Sequence, residues 1–491
     1  MANQIYKAYK IHILPIIADM LEDETSFAIQ KAFSKALIGV SHYFGSPNFS
    51  PLIPLERALE VHDQKKWAKT HQKAVKAFVD DASIPLYPLY KRNIKDPFTI
   101  VIISTTCSGG NHSVALSIAN FLVKQPNIQA FIIDVEEIAQ KYDPMMIATD
   151  TYTYDMVYSH ILQKNNNLDV IKARKDLYRE IENYIPNNFL YALKAKVISL
   201  SPDLIISTRS YTCDDFSLAM LGVPFRLCHA DYELCPSLLS YYRCIPSEMI
   251  RFWIPTMKSS MFKPLFQTMN RLDFYNEEDN EHILFTKLGE IMQTSAEGVR
   301  QNFELIGYPC ANFYEIKDKR SLKKKWGIEP HEIPIFIVMG KYSTASIKNI
   351  FDYLKSAKTQ LPLKYIFICG KNESLKRELE KSAPSKMVIC GLLSPTEMNE
   401  VMNISSLGIS KAGGATIAES IVTKTPILLI DFYPWEEVNA DYLIQIGLGI
   451  KTDPSVPLIK QIEDILGSNK VKNLTYEHWE NNLSEKIKQL M

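Results

Sequence analysis

The segment Ser410-Lys411-Ala412-Gly413-Gly414-Ala415-Thr416-Ile417-Ala418-Glu419 follows the apolar run Leu407-Gly408-Ile409 and reads as strand, glycine turn and helix start. Glycines let main-chain N–H groups approach a ligand closely. A helix N-terminus adds unpaired N–H donors and the positive end of its dipole, so this constellation suits an anion, and a diphosphate fits that chemistry. Glu419 stands three residues after Thr416, which is also the spacing of a capping box, where the carboxylate serves only its own helix start. From the residues alone both readings of Glu419 are open. A second constellation is Thr105-Thr106-Cys107-Ser108-Gly109-Gly110-Asn111-His112, between the apolar run at 98–104 and a helical pattern from about 114 to 123. Imidazole titrates near neutrality and suits removal of a proton from a hydroxyl group. A loop histidine is more often merely solvated, and the same loop could hold an anion through its backbone.

Strands must place both constellations. Residues 98–104 form a continuous β-branched run, the mark of a strand buried on both faces. Further strands are expected at 131–135, 204–207 and 224–227, with helical patterns between them. The alternation restarts near 333, with strands at 335–340, 365–370, 387–390, 407–410 and 427–431. Strands alternating with helices predict an α/β fold of two doubly wound parallel-sheet domains facing a cleft. Residues 1–95 have helical spacing and read as a helical extension, 96–305 as the first sheet domain and 306–465 as the second. Residues 466–491 are expected to be helical and to pack back on the first domain. Open α/β sheets bind ligands beyond the carboxyl ends of their strands. That favours a nucleotide-type ligand and names no reaction.

Composition narrows the class. Hydrophobic residues make up 46% and charged residues 22% of 491, which is ordinary for a globular chain, and the formal net charge of zero gives no sign of nucleic acid. The 8 cysteines show no CxxC spacing and no histidine cluster completes a zinc set, so they read as reduced, mostly buried thiols of a cytoplasmic protein. Pro15 and Asp19 interrupt the apolar N-terminal stretch, so a secretory signal is not expected. No run of about 20 apolar residues occurs, which leaves peripheral attachment to the inner face of a membrane as the membrane contact to consider. Residues 251–272 mix apolar and basic side chains and could rest on anionic lipid, although core packing is the preferred reading.

The segment from Ser410 to Ser420 closely resembles the donor loop of monogalactosyldiacylglycerol synthases and bacterial processive diacylglycerol glucosyltransferases. It is more distantly similar to the lipid II-forming N-acetylglucosaminyltransferase of peptidoglycan synthesis. The resemblance implies an inverting enzyme of the GT-B fold, with two Rossmann-like domains and a UDP-sugar as donor substrate without a further cofactor. It implies that Gly413 and Gly414, with Ala415 and Thr416, shape the diphosphate loop, and that Glu419 holds the ribose hydroxyls. These relatives usually carry Pro-Gly where this chain has Gly414-Ala415. No Asp-x-Asp motif occurs, so no metal is expected. Helix dipole, backbone and Lys411 would carry the leaving-group charge instead. The segment 339–343, with Gly340 and Ser343, occupies the place of a glycine-rich loop near the phosphates. Leu392 stands where the family places a residue beside the uracil ring. In the segment 431–439, Glu436 and Asn439 are the candidates for sugar hydroxyls, with a solvated loop as the alternative.

On the acceptor side, Gly109, Gly110, Asn111 and His112 resemble the family's Gly-Gly-Gly-His loop, and Asn111, at the third glycine, is expected to tolerate left-handed backbone. The resemblance makes His112 the candidate general base. Cys107 stands where the lipid synthases carry an Asp. The stretch Leu227-Cys228-His229-Ala230-Asp231-Tyr232-Glu233 resembles the family's Thr-Asp-Phe stretch, and Asp231 is expected to orient the acceptor or His112, a structural hydrogen-bonding role being the alternative. The expected activity is transfer of a hexose from a UDP-sugar to a membrane lipid such as diacylglycerol. The alternatives are a non-lipid hydroxyl acceptor, a UDP-N-acetylglucosamine 2-epimerase, and a non-catalytic sugar-nucleotide-binding protein.

Overall fold

The computed structural model describes residues 97–106, 109–142, 187–209, 223–232, 250–263, 281–292, 295–310, 313–343, 346–433, 436–468 and 479–491, with Leu218, Leu221 and Leu234. The extension expected at 1–95 lies outside them, as do Cys107 and Trp435. Two parallel sheets organise the rest. The first holds β1 (Phe98–Ser104), β2 (Ile128–Asp134), β3 (Leu204–Ser207), β4 (Phe225–Cys228), β5 (Ile250–Ile254) and β6 (Phe303–Leu305), in the order β2-β1-β3-β4-β5-β6. The second holds β7 (Ile333–Val338), β8 (Leu363–Ile368), β9 (Met387–Cys390), β10 (Leu407–Ser410), β11 (Ile427–Leu429) and β12 (Gly449–Lys451), in the order β12-β11-β10-β7-β8-β9.

Each sheet starts in its interior, and the strand order reverses around the first strand laid down. In the first sheet the chain steps from β1 to β2 and then returns to place β3 on the other side of β1. In the second it runs β7, β8, β9 and then returns to place β10 beside β7. Such reversals leave a crevice beyond the carboxyl ends of the adjoining strands. The segments after β1, β7 and β10 are those singled out for chemistry above.

The apolar runs explain the strands. Ile100 through Ile103 are fully buried, as are Ile335, Phe336 and Ile337, because helices cover both faces of each sheet. Over its described part the 251–272 stripe follows the preferred reading, core packing. Arg251 to Ile254 belong to β5, and Phe252, Trp253, Met261 and Phe262 are core side chains, not a lipid-facing surface. The Trp253 indole donates to Glu304 Oε2 at 2.7 Å, and the Arg251 guanidinium donates to Asn302 Oδ1 at 3.1 Å. These polar tethers make a central strand look amphipathic in sequence.

Four helices matter for the site: α1 (Gly109–Leu122), α2 (Gly414–Thr423), α3 (Glu437–Gln445) and α4 (Trp479–Lys488). The last packs on the first: the Trp479 ring meets Phe121 edge-on with centroids 5.5 Å apart, and Asn482 donates to the carbonyl of Ile306. Among the described residues no helix is long and apolar enough to cross a membrane.

Candidate active site

Helix α2 begins directly after β10 and its glycine turn. Gly413 is the N-cap, in extended backbone, and no side chain caps the helix. Thr416 is therefore the third helical residue, one turn too far along to form a capping box with Glu419. The capping reading of Glu419 is excluded by this geometry. The residue is partly exposed, yet burial of its carboxyl pushes the pKa up to about 8.

The turn around the helix start is crowded. Lys411 Nζ pairs with Glu436, whose other oxygen accepts from the Tyr433 N–H at 3.1 Å. The Lys411 stem passes Gly340, which has φ of 79°, and its ammonium passes Gly413. The 340–343 turn is closed by the Ser343 N–H donating to the Gly340 carbonyl at 3.2 Å, with Ser343 at φ of 56°. The Ser343 hydroxyl is fully buried without a partner, and so is that of Ser410 at the end of β10. Orphaned hydroxyls are costly in a closed core and suit a site built to bond something else. Ala415 and Thr416 are partly exposed on the first turn of α2, and Leu392 is exposed on the segment after β9.

The first domain reaches into this turn. The Asp231 carboxylate accepts from the Gly414 N–H and, at 3.1 Å, from the Asn439 side-chain amide. Asn439 also donates to the Ala412 carbonyl and accepts from the Tyr232 N–H at 2.8 Å. A Cβ at Gly414 would lie 2.5 Å from the Ala230 carbonyl oxygen and 2.6 Å from Asp231, so only glycine allows this approach. The Tyr232 ring stacks on Tyr442 at 4.4 Å and on Tyr308 at 5.7 Å, sealing the contact. Desolvation raises the Asp231 pKa to about 6 against the lowering effect of the Asn439 bond. Of the readings open for Asp231, these bonds fit the structural hydrogen-bonding one. Asp231 does not orient His112; it occupies the helix N-terminus opposite. Glu436 and Asn439, the candidates for sugar hydroxyls, are both buried and engaged with protein groups.

His112 sits across the cleft in the first turn of α1. Gly109 and Gly110 are helical too, and Asn111 is a buried helical residue whose carbonyl accepts from the Thr208 hydroxyl at 3.0 Å. The expected left-handed turn at Asn111 is absent because the helix starts two residues earlier. His112 Nδ1 is buried with no hydrogen-bond partner. Desolvation lowers the imidazole pKa, Asp134 opposes that shift, and Lys341 adds to it. Neither Asp134 nor Lys341 stood out in the sequence. Asp134 ends β2, in register with Ser104 of β1, so its carboxylate stands beside the segment after β1. It accepts from the Thr106 hydroxyl at 2.8 Å, and Glu136 lies at the same distance from that hydroxyl. An acidic residue closing the neighbour of the first strand was the signal available in sequence.

Two open α/β sheets, with a glycine-started helix in the crevice of one and a neutral-leaning imidazole in the crevice of the other, define a two-domain α/β protein. Residues 335–489 match the glycosyltransferase family 28 C-terminal domain. A processive diacylglycerol beta-glucosyltransferase of Bacillus licheniformis is 25% identical over 177 residues, 35% of this chain and 45% of its own. Its counterpart in Staphylococcus carnosus is 28% identical over 169 residues, 33% and 42% of the two chains. A probable chloroplastic monogalactosyldiacylglycerol synthase 2 of Oryza sativa is 30% identical over 143 residues, 28% and 30% of the two chains. The chain thus spans less than half the length of these curated relatives. The solved structure of Acinetobacter baumannii MurG covers 80% of this chain and 100% of its own, with a TM-score of 0.45 and 13% identity, a likeness of chain layout alone.

Proposed function

We propose that the protein is an inverting glycosyltransferase that moves a hexose from a UDP-sugar to the hydroxyl of a membrane lipid such as diacylglycerol. The observation that carries this reading is direct contact between α2, within the segment that matches the family 28 C-terminal domain, and α1, which carries His112. Donor and base are thereby brought within one molecule's length. In the proposed reaction the acceptor oxygen attacks the anomeric carbon from the face opposite UDP. The bond from that carbon to the diphosphate breaks, UDP leaves with the electron pair, and His112 takes the acceptor proton. Inversion follows from the single displacement. The N–H groups and dipole of α2 offset the charge developing on the diphosphate. A lipid acceptor brings the cleft to a bilayer surface, so this reading places the protein peripherally on the cytoplasmic face of a membrane.

Purified protein is incubated with a panel of UDP-sugars and extracted lipids, and product masses are read. Lipid-dependent UDP release with a lipid gaining one hexose mass is the expected result. Interconversion of UDP-sugars without acceptor would replace the transferase with an epimerase, and UDP binding without turnover would leave a non-catalytic binding protein.

Donor entry must compete with Asp231 for the start of α2. Asp231→Asn keeps the shape and removes the charge. A carboxylate at a helix start is worth about 0.3–2 kcal/mol, so UDP is expected to bind roughly two- to thirtyfold more tightly in calorimetry. Unchanged or weaker binding would show that the carboxylate does not compete with the donor.

A further inference from the structure

We propose that Lys341, on the donor domain, is a positioning residue for the acceptor segment: its ammonium fastens the turn after β1 and fixes a positive charge beside His112. The kinetic arm of this proposal rests on the transferase reading; its titration arm does not.

The backbone that carries Lys341 is held on both sides. Gly340 and Ser343 adopt positive φ of 79° and 56°, which closes a tight turn. The Lys341 carbonyl accepts from the Lys371 N–H at 2.8 Å. Gly370, with φ of 57°, allows that clamp, since a Cβ there would lie 2.2 Å from the Lys341 carbonyl oxygen. From this base the side chain crosses the cleft. Its Nζ donates to the Thr106 carbonyl at 3.0 Å, a contact between residues 235 apart in sequence. Its stem passes within 3.6 Å of where a Gly109 Cβ would stand, and its ammonium lies 5.1 Å over the Tyr342 ring. Thr106 is bound in turn to Asp134 and faces Glu136. Lys341 therefore closes a ring of groups around the first turn of α1.

The charge has a chemical consequence. The Asp134 carboxylate, at the end of β2, favours the imidazolium, which cannot accept a proton. A cation on the donor side opposes it. Burial is the larger cause that holds the acceptor-side imidazole in its basic form, and the donor domain adds the Lys341 charge to it.

The test follows the His112 ring signal by NMR across pH in the full chain, for wild type, Lys341→Met, Lys341→Gln and Lys341→Arg. In Lys341→Met and Lys341→Gln, His112 is expected to titrate at higher pH; in Lys341→Arg it stays near wild type. Turnover is expected to fall about tenfold to hundredfold in Lys341→Met, as the loss of a charged hydrogen bond allows. Gln, which can still donate to Thr106, retains more of it. The acid limb of the kcat/KM profile moves to higher pH in Met and Gln but not in Arg. An unchanged His112 titration in a folded Lys341→Met protein overturns the proposal. If wild type transfers no sugar, the transferase reading fails, while the titration still decides the placement of the charge.

Discussion

His112→Ala is expected to lower turnover by about 10²–10⁴-fold while leaving UDP-sugar binding nearly intact, the range typical of a positioned general base. His112 has the features the task needs. Its Nδ1 is buried and unpartnered, and desolvation holds the imidazole toward its neutral form. Because that pKa is lowered, the base remains competent below the pH at which a free imidazole charges, and the acid limb of kcat/KM should lie below that of an exposed histidine. The substitution leaves the donor helix untouched, so an effect confined to KM would point to a binding role. Near-normal turnover would move the base to Asp134, whose charge acts on the same imidazole.

The second large effect is expected at Glu419. Two ribose hydroxyls donating to one carboxylate, at about 1.5–3 kcal/mol each, make Glu419→Ala about 10²–10⁴-fold weaker for UDP. No helix cap is lost, because Gly413 is the cap and Glu419 takes no part in it. The pKa of about 8, raised from 4.5, also fixes a pH dependence. A carboxyl whose folded pKa is raised contributes stability that is full below about 4.5 and is lost as pH rises through about 8. Glu419→Gln removes that part of the pH dependence. Hydroxyl donors favour the ionised form, so UDP binding near pH 7 should release a proton, visible as a dependence of calorimetric heat on the buffer. Wild-type UDP affinity in Glu419→Ala, or proton release that persists in Glu419→Gln, would remove the carboxylate from the donor site.

What could be read from sequence was local. The strand, glycine turn and helix from Leu407 to Thr423 lie within one stretch, and buried β-branched runs such as 98–104 and 333–338 announce themselves without their neighbours. The helix start was harder to place by a few residues. Thr416 has capping-box spacing to Glu419, but spacing does not say which residue ends the preceding turn. Asn111 was misplaced for the same reason, since two glycines before it suggested a loop and the helix begins at the first of them. Position across the cleft was not legible at all. Asp231 and Asn439 are 208 residues apart, and Lys341 meets Thr106 across 235. Such pairings depend on how two sheets face each other, which no local pattern records. β5 was obscured by its own arginine, whose partner Asn302 lies 51 residues away.

The Asp231 carboxylate at the start of α2 bears on the time course of binding. If the start of α2 holds the donor diphosphate as proposed, Asp231 fills that position here, and only unlatched molecules, with the carboxylate withdrawn, would admit the ligand. The measured dissociation constant is then the intrinsic one divided by the unlatched fraction, so an unlatched share of about 1% would mask about a hundredfold of affinity. Association would cease to rise with ligand concentration once unlatching becomes the slow step. Protonation of Asp231 near pH 6 weakens the latch. Mild acidification would therefore speed the entry of UDP even as it begins to charge the imidazole on the far wall of the cleft.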